Sequence, residues 1–300
     1  MNLAPFKESL SGPENAFRLL SVGQPVPVLH PVRLVRTLPS EGLIGLGDPF
    51  RKLLINLASF NRGASPVSML LYGFRGTGKT SLILAAWEET SRRRQEAGLS
   101  PCRLIQVERE GIPHLLPLID QLGDRPECAL IVFDDLYFPP DDPLFHLFRA
   151  FLDGGIAALP PNVGLAVTSN HRHLVSESFA RRDDALHPGE TMDDSLALWD
   201  RFGLALLFSE PGRDTYLDFV LAKLIGKGLL PPGTILPSSQ DGEETDPLGP
   251  SRTFASADSP EGIVQRALLF SRTRASRSGR TAQWFADLYE RGLIDGAPGS

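Results

Sequence analysis

Five short apolar runs punctuate the middle of the chain: "PVSMLLY" (66–72), "RLIQVE" (103–108), "CALIVF" (128–133), "NVGLAVTS" (162–169) and "GLALLF" (203–208). Each is nearly continuous in hydrophobic residues rather than alternating, the pattern of strands covered on both faces, and stretches of helical character separate them. Strand and helix in alternation predict an α/β core with a five-stranded parallel sheet over 41–210. After residue 210 the period changes. "GRDTYLDFVLAKLIGKG", "PEGIVQRALLFSRTRA" and "TAQWFADLYERGLI" place apolar residues three and four apart, so a small helical domain is expected over 211–300. Residues 231–260 interrupt it with Pro, Gly, Ser and acidic side chains; they have little to bury and read as a mobile insertion. Residues 1–40, with "GQPVPVLHPVRL", read as an extended arm in which no chemistry is legible.

Composition narrows the class without naming a function. The 300 residues are 42% hydrophobic and 22% charged, ordinary for a globular protein with a sizeable core. A net charge of -6 argues against a generally basic nucleic-acid binder. The two cysteines, Cys102 and Cys128, have no metal-type spacing and suit a reducing compartment. No apolar run approaches the roughly 20 residues of a bilayer span, and "MNLAPFKESLSGPENAF" lacks a basic start followed by an apolar stretch. A cytosolic protein without membrane contact is the expectation.

The chemistry concentrates between the first strand and the helix after it. "GFRGTGKT" sets Gly73 four residues ahead of Gly78, Lys79 and Thr80, the spacing of a phosphate-binding loop. Glycines there let backbone N–H groups converge on phosphate oxygens where a side chain would obstruct. Lys79 is placed to reach the β- and γ-phosphates, Thr80 to ligate Mg²⁺, and the helix opening at Lys79 adds its positive end. The bland alternative, an accidental glycine-rich turn, seldom falls directly between an apolar strand and a helix. "ALIVFDD" ends a second strand in Asp134 and Asp135: the first acid suits Mg²⁺, the second suits polarising an attacking water, and both are also compatible with solvated strand-end acids. "LAVTSN" ends a third strand in Thr168, Ser169 and Asn170, where a polar side chain can orient water.

In this order the motifs resemble those of the AAA+ ATPase superfamily. The resemblance implies an ATP-binding core followed by a helical lid, with Gly73, Gly76, Thr77, Gly78, Lys79, Thr80 and Ser81 in Walker A, Asp134 as the Walker B magnesium acid and Asn170 as sensor 1. "WDRFGL" is similar to the box carrying an arginine finger, which implies that Arg201 acts on a neighbouring subunit's nucleotide. "RSGRTA" resembles the sensor 2 helix, with Arg280 first and Arg277 second as its arginine. "GLIGL", including Ile44 and Gly45, resembles the segment lying against the adenine. More narrowly, "YGFRGTGKTSL", "DDLYF", "TSNHRHLV", "HPGE", "DRFGL" and "SRSGRTA" together resemble the DUF815 family of predicted bacterial ATPases over about residues 42 to 293. The resemblance implies ATP and Mg²⁺ as ligands, a ring or partial ring of identical subunits, and an unidentified protein client. Walker B here ends Asp-Asp instead of the superfamily's usual Asp-Glu, which shortens the second acid by a methylene.

Other features carry less. His171 and His173 in "HRH" are expected to belong to the loop after sensor 1 and not to a metal site, and "RRDD" (181–184) and "DD" (193–194) read as solvated charges. Arginines 252, 266, 272, 274, 277 and 280 make the helical region basic. That leaves a solvated helical face and a nucleic-acid or acidic-partner surface both open. Three functional classes follow: a remodelling ATPase, a nucleotide-switched binding or loader module with little turnover, and, least supported, a P-loop kinase.

Overall fold

The sheet is larger than the five apolar runs predict. The computed structural model describes residues 6, 9–21, 27–39, 42–139, 142–153, 159–171, 200–237 and 259–294. Two of its strands, β1 (Ala16–Leu20) and β2 (Val28–Pro31), come from the proline-rich arm. The five runs form β3 (Met69–Gly73), β4 (Arg103–Val107), β5 (Ala129–Phe133), β6 (Val163–Ser169) and β7 (Leu204–Phe208). The order across the sheet is β2-β1-β4-β5-β6-β3-β7. Every neighbouring pair is parallel except β1 with β2.

The two extra strands have a physical reason. Without them β4 would be an open edge carrying Leu104, Ile105 and Val107, an exposed template for further pairing. β1 covers that edge in the register Ala16↔Leu104 to Leu19↔Val107. Phe17 and Leu19 enter the core with Leu29 of β2, and Arg103 lies over the Phe17 ring at 5.8 Å. Pro31 is tolerated because it ends the outermost strand. At the opposite edge β7 is half-covered, with Leu207 60% exposed, so its apolar run does not mean burial on both faces.

Helices connect the strands: α1 (Gly47–Leu57), α2 (Lys79–Glu96), α3 (Leu115–Gly123) and α4 (Pro143–Leu152). Leu115, Leu118, Ile119 and Leu122 of α3, and Phe145 and Phe148 of α4, pack with Ile105, Ile131, Phe133, Leu165 and Val167 of the sheet. Their three- and four-residue spacing is that of one helical stripe.

After residue 210 the described elements are helices: α5 (Arg213–Gly226), α6 (Pro260–Thr273) and α7 (Gly279–Glu290). Ser259 and Ser278 cap α6 and α7, accepting from the Gly262 and Thr281 N–H groups at 3.1 Å each. The chain divides into two compact units. One comprises Met1–Ser40, Leu46–Gly73 and Lys79–Phe208; the other comprises Glu41–Gly45, Phe74–Gly78 and Ser209–Ser300. The second has its own core, built on Tyr216, Val220, Leu224, Ile263, Ala267 and Phe285. The Tyr216 hydroxyl, wholly buried, donates to the Ala267 carbonyl at 3.1 Å, and burial pushes its phenol above the usual tyrosine range. Leu236, inside the stretch expected to bury little, also joins this core. Residues 238–258 of that insertion, Arg252 among them, and Arg172, His173, "RRDD", "HPGE" and Asp193–Asp194 lie outside the described residues. Among the described residues no helix is long and apolar enough to cross a membrane.

Candidate nucleotide site

The glycine loop joins the end of β3 to the start of α2, and its backbone explains its residues. Gly73 has φ +118°, and a Cβ there would stand 2.2 Å from the Phe208 carbonyl oxygen, so neither the conformation nor the space admits a side chain. Gly76 has φ +72°, and a Cβ would meet Ser278 Cβ at 2.7 Å. Within the same unit the Gly279 N–H, at the head of α7, donates to the Gly76 carbonyl at 3.1 Å. Thr77 turns inward and donates to the Phe74 carbonyl at 2.8 Å. α2 carries no acid in its first turn, and the first N–H groups of a helix carry partial positive charge.

At the base of α2 two side chains meet the tips of β5 and β6. Lys79 is 5% exposed; its Nζ donates to the Gly73 carbonyl at 3.0 Å and to Asn170 Oδ1 at 2.9 Å. Burial pushes the Lys79 ammonium below the usual lysine value, against the opposing pull of the Asp135 and Asp134 carboxylates. Thr80 donates to Asp134 Oδ1 at 2.5 Å, and Asn170 Nδ2 donates to Asp135 Oδ1 at 2.6 Å. Asp135 sits at φ +57°, a left-handed conformation that Asp tolerates better than most residues.

The sequence-predicted residues form two hydrogen-bonded sets, Lys79–Asn170–Asp135 and Thr80–Asp134, which Thr168 joins. Ser81 is half-buried in the first turn of α2. Ile44 is half-buried, and Gly45, at φ +70°, lies beside the Thr215 methyl of α5. Arg280 is exposed at the start of α7, next to the Gly279 that holds Gly76. Arg277 lines a 480 Å³ cleft with Glu210, Gly212, Ser271 and Arg272. Arg201 does not join the acid group: it is ion-paired with Asp153, just past the end of α4, and its Nε is buried without a hydrogen-bond partner among the described residues. His171 lies against the Tyr137 ring at 4.5 Å, and both border a 380 Å³ cleft with Asp134, Asp135, Glu108 and Arg109.

Thr168 is the participant that residue-type reasoning left unassigned. It is 1% exposed, donates to Asp134 Oδ1 at 2.7 Å and accepts the Asp135 N–H at 2.8 Å. The signal was in the register: Phe133 pairs with Val167, so the next residues, Asp134 and Thr168, stand side by side at the strand tips.

The residues fit Mg²⁺ and a nucleoside triphosphate. Asp134 and Thr80 offer adjacent hard oxygens, and no cluster of three or more His, Cys, Asp or Glu occurs among the described residues. One carboxylate and one hydroxyl suit a cation that keeps its waters and shares phosphate oxygens. Gly73, Gly76 and Gly78 all have positive φ, and successive backbone N–H groups in such turns can form an anion-binding concavity.

No curated protein sequence matches this chain significantly. Among solved structures it is remotely similar to the Holliday junction branch migration motor RuvB of Thermotoga maritima, at 14% identity over 85% of this chain and 67% of that one, with a TM-score of 0.47. It is likewise similar to PCH-2 of C. elegans, at 14% identity over 85% and 71% of the two chains, with a TM-score of 0.45. For the Aeropyrum pernix Orc1 protein in complex with DNA the values are 16% identity, 85% and 66%, and a TM-score of 0.44. The family described as "Protein of unknown function (DUF815)" matches residues 14–292, almost the entire sequence, and the chain belongs to the DUF815 family.

Proposed function

We propose that the chain is a Mg²⁺-dependent ATPase of the AAA+ type, working in the cytosol as a ring or partial ring that remodels a partner. The observation that carries this reading is the 2.5 Å bond from Thr80 to Asp134, which sets two metal-suited oxygens side by side at the start of α2. In this reading the loop N–H groups and Lys79 bind the phosphates, Lys79 exchanging its Gly73 and Asn170 acceptors for phosphate oxygens. Thr80 and Asp134 would hold Mg²⁺, which would supply charge neutralisation for phosphoryl transfer. Asn170 and Asp135 orient the attacking water. Ile44 and Gly45 lie against the base, Arg280 reads the nucleotide state, and Arg201 leaves Asp153 to serve a neighbouring copy's nucleotide. A trans arginine of this kind supplies roughly 10³- to 10⁵-fold in related phosphoryl transfers.

A second reading, a nucleotide-switched loader with little turnover, is favoured by one observation: the Asp135 carboxylate is engaged by Asn170 at 2.6 Å rather than left to take a proton from water. The exposed Arg272, Arg274 and Arg280 of the helical unit would suit an acidic partner or nucleic acid. Steady-state ATP turnover, with and without single-stranded DNA, separates the two. Brisk turnover without DNA is the expected result; tight ATP binding with negligible turnover selects the loader. Lys79→Ala and Arg201→Ala should each be inactive, and mixing them should recover measurable turnover at interfaces that pair an intact loop with an intact arginine. No recovery on mixing would contradict a shared site.

A further inference from the structure

Thr168 makes three hydrogen bonds around one turn, two to the acids and one to the residue that follows them. Its hydroxyl donates to Asp134 Oδ1 at 2.7 Å, the same oxygen that Thr80 meets at 2.5 Å. The same hydroxyl accepts the Asp135 N–H at 2.8 Å, and the Thr168 carbonyl accepts the Leu136 N–H at 2.8 Å. A hydroxyl has one proton to give and lone pairs to receive, so this donor–acceptor pattern fixes its rotor. Asp135 must turn left-handed, at φ +57°, directly after β5, and that turn points its N–H at Thr168 and its carboxylate at Asn170. Asp134 and Asp135 are themselves exposed, so no packing of their own fixes them. Thr168 is wholly buried between Val167 and Ser169 of β6, each also buried, on a central strand flanked by β3 and β5. It is the rigid side of the contact.

We infer that Thr168 is a positioning residue for the divalent cation: its hydroxyl holds the Asp134 carboxylate in the rotamer that faces Thr80 and pins the turn that carries Asp135. The inference rests on the functional reading above, and it adds that the metal affinity of the site is set from the tip of β6 as well as by the two groups that would touch the ion. A hydroxyl is needed, and shape alone does not suffice. Outer partners of metal-binding carboxylates typically carry a factor of about 10 to 100 in metal affinity.

The test compares the parent with Thr168→Val, which keeps the shape and removes the hydroxyl, and Thr168→Ser, which keeps the hydroxyl. A fluorescent ATP analogue is titrated without metal, and then Mg²⁺ is titrated into the analogue-bound protein. Thr168→Val should bind the analogue as the parent does without metal, but need about 10-fold more Mg²⁺ for the metal-dependent signal. Thr168→Ser should return close to the parent. In the ligand-free protein, amide exchange at Asp135 should quicken in Thr168→Val, while exchange in the α5–α7 core stays unchanged. Should Thr168→Val fail to fold, Thr168→Ala, which cannot overfill the site, takes its place. A Mg²⁺ response in the valine variant equal to a normal parental one overturns the positioning role alone. A parent whose nucleotide binding ignores Mg²⁺ overturns the functional reading, and this one with it.

Discussion

At Gly73 two independent constraints exclude a side chain. Its φ of +118° excludes an L side chain on conformational grounds, and the 2.2 Å approach of a Cβ to the Phe208 carbonyl excludes it on steric grounds. The clash is with backbone of the paired strand β7, so it cannot be relieved by a rotamer change. Gly73→Ala should therefore cost about 3 kcal/mol and lower the melting temperature by several degrees, read by thermal unfolding of the ligand-free protein. A melting curve unchanged from the parent would show that the end of β3 is not held as described. That Thr80 and Asp134 would meet was legible, because the loop spacing puts Thr80 at the head of a helix and Asp134 at the tip of an apolar strand. Thr168 was not, because a polar residue ends most strands and its partners emerge only once β5 and β6 are in register. For Arg201, sequence order supplied a candidate, and the fold adds the Asp153 carboxylate that holds it within its own chain.

The same contrast runs through the elements. The five parallel strands were legible as unbroken apolar runs, and α5, α6 and α7 as three- and four-residue periodicities, because each buries a broad face whatever its neighbour. β1 and β2 were not legible. Their apolar residues are few and lie between prolines, and Phe17, Leu19 and Leu29 have a buried place only when the arm adds to the edge of β4. Residues 231–260 read as insertion throughout, yet Leu236 belongs to the helical core. The arm is accordingly a piece of the sheet. Removing residues 1–33 should uncover Leu104, Ile105 and Val107 along an unpaired parallel strand and make the protein self-associate, seen as rising light scattering with concentration while the full chain stays constant. A truncated chain with the parent's scattering and melting curve would contradict the role assigned to β1.

At the scale of the whole molecule, the two units divide the phosphate-binding sequence between them: Gly73 and Lys79 group with the sheet, and Phe74–Gly78 with the helices. The central claim is that the loop binds ATP through Lys79. Calorimetric titration of ATP with Mg²⁺ into the parent and into Lys79→Ala tests it most directly. The account predicts a saturable site in the parent and at least a 100-fold weaker one in the variant, roughly the loss of a charge-assisted contact that nothing else replaces. Equal ATP affinity in the two proteins would contradict it.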